Sequence, residues 1–255
     1  MTQRPAYAVE AVDHTLAALD LLTQRDAVRV SELAAELGIG RSTAHRLLQM
    51  LVYRGFAQQR PNRTYTAGPA LMAARQRARL QSLTSWLRPS LLLAYQRLHE
   101  SVQLQVLSGL EVVSVESIER PAGEGHSLRG TRLPAELASG GLALLAQLPA
   151  GEMRIRSRRL PATAQSQLDH SLATTRRRGF GYAVGVTGAD IVSVSVPVFD
   201  PDDEAVAALT CTAPSTRLTR SRAAEAVAIL GAVARSAQLT HPAAGRHLIT
   251  TRRAG

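Results

Sequence analysis

The chain has 255 residues, 30 basic and 20 acidic side chains, 45% apolar and 4% aromatic residues, and one cysteine, a balance that excludes wholesale disorder and suits two ordinary domains. Lone Cys211 has no intrachain disulfide partner, and no apolar run approaches the ~18 residues that cross a bilayer. Acids in the first residues break the apolar core that a signal peptide needs, so the expectation is a cytoplasmic protein with no membrane association.

From the N-terminus, Val9, Val12, Leu16 and Leu19 fall at helical spacing opposite Glu10, Asp13, His14 and Asp20, which predicts a first amphipathic helix. Ser31 stands where an N-cap belongs, and Leu33, Ala34 and Leu37 give a short second helix that ends at Gly38. Gly38-Ile39-Gly40 then predicts a tight turn with Ile39 plugging the angle between two helices.

The next segment separates into two faces. Ala44, Leu47, Leu48 and Leu51 recur at i, i+3, i+4 and i+7, while Ser42, Thr43, His45, Arg46 and Gln49 take the other side. A helix with that polar face and Arg41 at its start suits the DNA major groove, where Arg reads guanine edges and Ser, Thr or Gln reach bases or phosphates. Two short strands around Pro61-Asn62, carrying Arg60 and Arg63, read as a wing that lies on the phosphate backbone. All 30 basic residues are Arg, which mostly reflects a GC-rich genome. Their placement is more telling: Arg41, Arg46, Arg54, Arg60, Arg63, Arg75, Arg77 and Arg79 follow one another with no acid among them, a stretch suited to a polyanion.

The run ALDLL, VSELAAELGIGRSTAHRLLQMLVYRGF and YTAGPALM resembles the winged-helix domain of IclR-type bacterial transcription regulators. The resemblance implies a recognition helix over about residues 41 to 53, with Arg41, Ser42, Thr43, His45 and Arg46 at the contact positions. It also implies a winged helix-turn-helix domain over 1–70, a linker helix over 71–82 that helps pair two subunits, an effector-binding domain over 83–240 and a tail over 241–255. On the residues alone, LMAARQRARLQS is too thinly apolar to be core, and Leu83, Trp86, Leu87, Leu91, Ala94 and Leu98 mark a separate amphipathic helix interrupted near its start by Pro89.

Alternation in SVQLQVLS and EVVSVESIE predicts an antiparallel hairpin around Ser108-Gly109. The stretch from Gly130 to Ala146 reads as a loop entering a short helix whose small residues leave backbone N–H groups uncovered. This segment is similar to the pocket-closing loop of IclR-type effector domains, a match that implicates Leu133, Ser139 and Gly140 in effector binding; tight helix packing is the competing reason for the glycines. Residues 163 to 179 look helical, with Arg176, Arg177 and Arg178 complementing the helix dipole before Gly179. In IVSVSVPVFD, Val192, Val194, Val196 and Val198 face one way and Ile191, Ser193 and Ser195 the other; in AVAALTCTAPS, Thr210 and Thr212 oppose Leu209 and Cys211. The hydroxyls can line a pocket for a small polar or anionic ligand, although a solvent-facing sheet gives the same alternation. A helix over 220–239 closes the domain.

The resemblance implies an α+β chain whose second domain is a GAF-like antiparallel sheet with helices around it. Three departures fall near the implied pocket: Ser193 stands where relatives often carry Cys, Asp190 where they carry Gly, and Ala183 near an acidic position. Asp190 belongs at the pocket mouth or in a plain turn. No nucleophile elbow, phosphate-cradling glycine loop or metal-ligand spacing appears, and the seven histidines are scattered, so neither catalysis nor a cofactor or metal is expected. The expected partners are a pseudopalindromic DNA operator, a small organic or aromatic acid, and further copies of the chain as a dimer or tetramer. The expected function is that of an effector-controlled regulator, most simply a repressor; a ligand-independent architectural DNA-binding protein is the alternative.

Overall fold

The computed structural model describes residues 7–121, 128–158 and 160–241, and its chain divides into two compact units, Met1–Gln81 and Ser82–Gly255. The predicted tail falls outside the described residues except for His241.

In the first unit, α1 (Glu10–Gln24), α2 (Val30–Leu37) and α3 (Arg41–Tyr53) precede a hairpin of β1 (Ala57–Gln59) and β2 (Tyr65–Ala67). Leu21, Leu22, Leu33, Ala44, Leu48, Leu51 and Tyr65 meet in one core, with Ile39 packed against it from the turn as its sequence position predicts. Gly38 takes φ 65° there, a left-handed conformation that glycine adopts without steric cost. Two expectations are corrected. Helix α1 buries Ala18, Leu21 and Leu22, so Val9, Val12 and Leu16 stand on its exposed side. Helix α2 begins before Ser31: the Glu32 carboxylate accepts the Arg29 N–H at 2.8 Å, which makes Arg29 the N-cap.

Helix α4 (Pro69–Leu98) runs unbroken over 30 residues and contains Pro89, where the sequence suggested two helices. Pro89 removes one backbone donor, and burial of Leu87, Leu91, Ala94 and Leu98 holds the helix across it.

The second unit is built on a six-stranded antiparallel sheet in the order β5-β4-β3-β8-β7-β6. Its strands are β3 (Ser101–Ser108), β4 (Glu111–Ile118), β5 (Arg132–Pro134), β6 (Gly181–Val184), β7 (Ile191–Phe199) and β8 (Ala205–Pro214). Helices α5 (Ser139–Leu145), α6 (Ala150–Ser157), α7 (Ala162–Arg178) and α8 (Arg220–Leu239) complete it. Val192, Val194, Val196 and Val198 of β7 pair with Ala213, Cys211, Leu209 and Ala207 of β8, forming an apolar face against which α8 packs. Helix α5 lies on the opposite face, against β6, β7, β8 and β3. Strands β5 and β6 and helix α6 are short elements that sequence periodicity did not disclose.

Candidate functional site

Two sets of residues carry chemistry, one in each unit. On α3 the buried stripe of Ala44, Leu48 and Leu51 turns Arg41, Ser42, Thr43, His45 and Arg46 outward, and all five are exposed. No side chain caps the start of α3, so its first-turn N–H groups stay available to an anion. In the wing, the Asn62 carboxamide oxygen accepts the Thr64 N–H at 3.2 Å and the Thr64 hydroxyl at 2.7 Å, while the Arg60 N–H donates to Thr64 at 2.8 Å. That turn holds Arg60 and Arg63 in solvent. From Leu37 to His99 the sequence contains no Asp or Glu. Among the described residues none of Arg41, Arg46, Arg54, Arg60, Arg63, Arg75, Arg77 and Arg79 makes an ion pair. The field of this face is therefore unneutralised by neighbours. Gln49 departs from the other polar positions of α3: it is half-buried, and its Nε2 donates to the Tyr65 hydroxyl at 3.0 Å.

In the second unit the α5 face of the sheet holds a connected line of hydroxyls and carboxamides. The Ser139 hydroxyl donates to Ser193 at 2.9 Å and meets Ser195 at 2.7 Å. Ser195 lies 2.7 Å from Thr210, which donates to Gln105 Oε1 at 2.9 Å. Gln105 Nε2 donates to Gln103 Oε1 at 3.1 Å, and Gln103 Nε2 to the Thr212 hydroxyl at 3.1 Å. The line bends into a horseshoe, because its ends, Ser193 and Thr212, are direct cross-strand partners. Ser139, Ser195, Thr210, Gln103 and Gln105 are buried, whereas Ser193 is half-buried and marks the end that reaches solvent.

A hydroxyl owns one proton, so Ser195, which lies between Ser139 and Thr210 that both donate elsewhere, bonds to one of them at a time. Ser193 accepts from Ser139 and Thr212 accepts from Gln103, so among the described residues neither spends its own. The horseshoe thus ends on two O–H donors from cross-strand partners, Ser193 half-buried and Thr212 buried, and has no charged side chain among its members.

Of the positions the sequence singled out for the effector, the structure places Ser139, Ser193, Thr210 and Thr212 on this line, with Gly140 seated over Gln105 and Thr210. The remaining implied positions lie outside the line. Leu133 packs in an apolar cluster with Leu168 and Leu172, Ile191 is half-buried one alternation beyond Ser193, and Asp190 is an exposed turn residue whose carbonyl accepts the Ser215 N–H at 2.7 Å. Sequence reasoning counted Ser195 among the pocket-facing hydroxyls but passed over Gln103 and Gln105; the signal was their place on the same alternating face as Thr210. Cys211 points to the opposite face, where burial, with Glu100 adding in the same direction, pushes its thiol up to about 12 and keeps it unreactive. Glu100 in turn accepts two bonds from the Arg217 guanidinium, at 2.8 and 3.1 Å, and this raises the Arg217 pKa. Among the described residues no group of His, Cys, Asp and Glu is placed to hold a metal ion.

The model of the bacterial transcriptional regulator IclR C-terminal domain matches residues 81–239, and that of the IclR helix-turn-helix domain matches residues 11–61. The chain belongs to the IclR family. It is 27% identical over 231 residues to the HTH-type transcriptional regulator XynR of Escherichia coli, covering 82% of this chain and 88% of that protein. It is 25% identical over 251 residues to the transcriptional repressor IclR of the same organism, covering 91% and 90% of the two chains. A crystal structure of an IclR homologue from Microbacterium hydrocarbonoxydans, complexed with 4-hydroxybenzoate, aligns with TM-score 0.56 at 25% identity, covering 90% of this chain and 99% of the other. An IclR-family structure from a Rhodococcus species aligns with TM-score 0.67 at 22% identity over 94% and 98% of the chains, which shows the shared fold. As an IclR-family member the protein is a DNA-binding transcriptional regulator with an effector-binding C-terminal domain, not an enzyme. Among the described residues no helix is long and apolar enough to cross a membrane.

Proposed function

We propose that this regulator is a cytoplasmic repressor that holds a pseudopalindromic operator as a homodimer and releases it when a small organic acid enters the second domain. The observation that carries the effector class is the pair of unspent hydroxyl protons on Ser193 and Thr212. Two adjacent O–H donors match the two oxygens of a carboxylate, and hydrogen bonds to a charged acceptor are the stronger kind. Ser139, Gly140 and Thr210 adjoin the same hydroxyls, with Ile191 and Asp190 farther along β7 and its preceding turn, while Leu133, on the far edge strand, stands outside this proposal. The 4-hydroxybenzoate bound by the Microbacterium homologue supports an acid of that kind.

On the DNA side, Arg41, Ser42, Thr43, His45 and Arg46 face bases and phosphates in the major groove, and Arg60 and Arg63 take phosphates along the wing. Residues 1–70 bind DNA, 71–82 link and 83–240 sense. The dimer follows from α1: Val9, Val12 and Leu16 are 64%, 54% and 56% exposed at i, i+3 and i+7, an apolar stripe that a second copy covers. Two recognition helices in successive major grooves then sit ~34 Å apart. A thermal-shift screen of small carboxylates, followed by DNA-release titrations with each hit, tests the reading. One acid that raises the melting temperature and releases DNA supports it; carboxylates that bind without altering DNA affinity contradict it and favour an architectural role.

A further inference from the structure

The DNA-facing surface is assembled from two elements, α3 and the wing, and one side-chain hydrogen bond joins them. Gln49 Nε2 on α3 donates to the Tyr65 hydroxyl on β2 at 3.0 Å. Tyr65 is fully buried, and its backbone N–H and C=O both bond to Val28, each at 2.8 Å. The ring is therefore fixed from the backbone side by the isolated bridge to Val28 ahead of α2 and from all sides by the core. Its hydroxyl is the polar handle that emerges beside α3. Gln49 stands one turn beyond His45 and Arg46, where a free carboxamide would reach toward DNA; here one of its two N–H donors is held by the Tyr65 hydroxyl, which turns the carboxamide toward the wing.

We infer that Gln49 is a positioning residue that sets the wing against the recognition helix, so that Arg60 and Arg63 meet phosphates in register with Arg46, and that it does not read a base. Two contact elements linked by a short polar brace bind as one unit, because the wing then loses less freedom on meeting the backbone. Without the brace the hairpin still forms, since its backbone pairs and the Asn62 turn are independent of Gln49.

The inference rests on the recognition-helix reading, and Arg46→Ala serves as its control. The probe is a duplex selected by the wild-type chain from a random-sequence pool. Gln49→Met and Tyr65→Phe, singly and together, are titrated against that duplex and against versions changed at each position, over several salt concentrations. The expected result is a loss of about five- to tenfold in each single variant and no further loss in the double. Base preference stays unchanged at every position, and Arg60→Ala and Arg63→Ala cost less affinity in the Tyr65→Phe background than in wild type. Relaxed preference at one position in Gln49→Met alone, additive losses in the double, or unchanged affinity in both singles would each overturn the inference. An Arg46→Ala variant with wild-type affinity would instead remove the recognition-helix reading beneath it. Thermal unfolding of Tyr65→Phe, which keeps the ring and the packing, separates a broken brace from a broken fold.

Discussion

Gly140 rests directly on the carboxamide of Gln105: a Cβ built on Gly140 would lie 1.9 Å from Gln105 Oε1 and 3.2 Å from the Thr210 hydroxyl. The absence of a side chain lets α5 seat on the polar face of the sheet and keeps Ser139 within reach of Ser193 and Ser195. Gly140→Ala must push the carboxamide out of the line or lift the helix. Such overpacking is expected to cost about 1–3 kcal/mol of effector-domain stability. Thermal unfolding that leaves the melting of Gly140→Ala unchanged would contradict the seating.

The mouth of the horseshoe gives a second expectation. Ser193→Ala and Thr212→Val each remove one free O–H donor, and each also takes an acceptor from the line, from Ser139 and from Gln103 Nε2, so thermal unfolding of both variants accompanies the titration. Each is expected to weaken an effector acid about tenfold, the scale of one bond to a charged group, with DNA affinity in its absence unchanged. Isothermal titration with the acid found by thermal-shift screening measures the first quantity and anisotropy of labelled DNA the second. Equal acid affinity in both variants and wild type would exclude these hydroxyls from the site.

The wing arginines are expected to act on all sequences alike. Arg60→Ala or Arg63→Ala leaves one phosphate without its guanidinium, so the slope of log affinity against log salt should shrink by about 0.9 for each phosphate no longer neutralised. A loss confined to one operator sequence would instead assign the side chain to base reading.

The exposed stripe of α1 predicts association. Leu16→Glu places a charge beside Val9 and Val12 on that stripe, and sedimentation should show a shift toward monomer at concentrations where the wild type is dimeric. An unchanged mass would locate the dimer contact elsewhere.

Cys211 carries a pH signature. Its thiol is pushed up to about 12 in the native chain from an ordinary value of 9.0. Above that ordinary value the unfolded chain releases the proton and the native chain keeps it, so stability is expected to fall as pH rises from about 9 toward 12. Cys211→Ala should flatten this part of the denaturation profile relative to wild type. An identical slope would mean that the thiol ionises equally in both states.

Much of the first unit was legible because its signals are local: the leucine spacing of α3, the Gly38 turn and the basic hairpin each occupy a few consecutive residues. The face of α1 was not, since an apolar stripe kept for a partner looks in sequence like one kept for the core, and burial chose Ala18, Leu21 and Leu22 instead. Gln49 was ambiguous for a related reason. Its bond goes to Tyr65, sixteen positions away, and a polar residue on a recognition helix carries no mark of what it touches. In the second unit the alternating strands were plain, yet nothing in the alternation singled out Gln103 and Gln105. Only the pairing of β3 with β8 shows that they continue a buried line. Pro89 suggested a break that tertiary packing overrides.

The central claim, an operator grip held by α3 and loosened by an acid, is tested most directly by one titration. Fluorescently labelled upstream DNA is bound by wild type and by Arg46→Ala, each with and without the thermal-shift hit. The account predicts tight wild-type binding that the acid weakens, and a loss of about 1–3 kcal/mol in Arg46→Ala before any acid is added. Equal affinity in the two proteins, or wild-type binding indifferent to the acid, would contradict it.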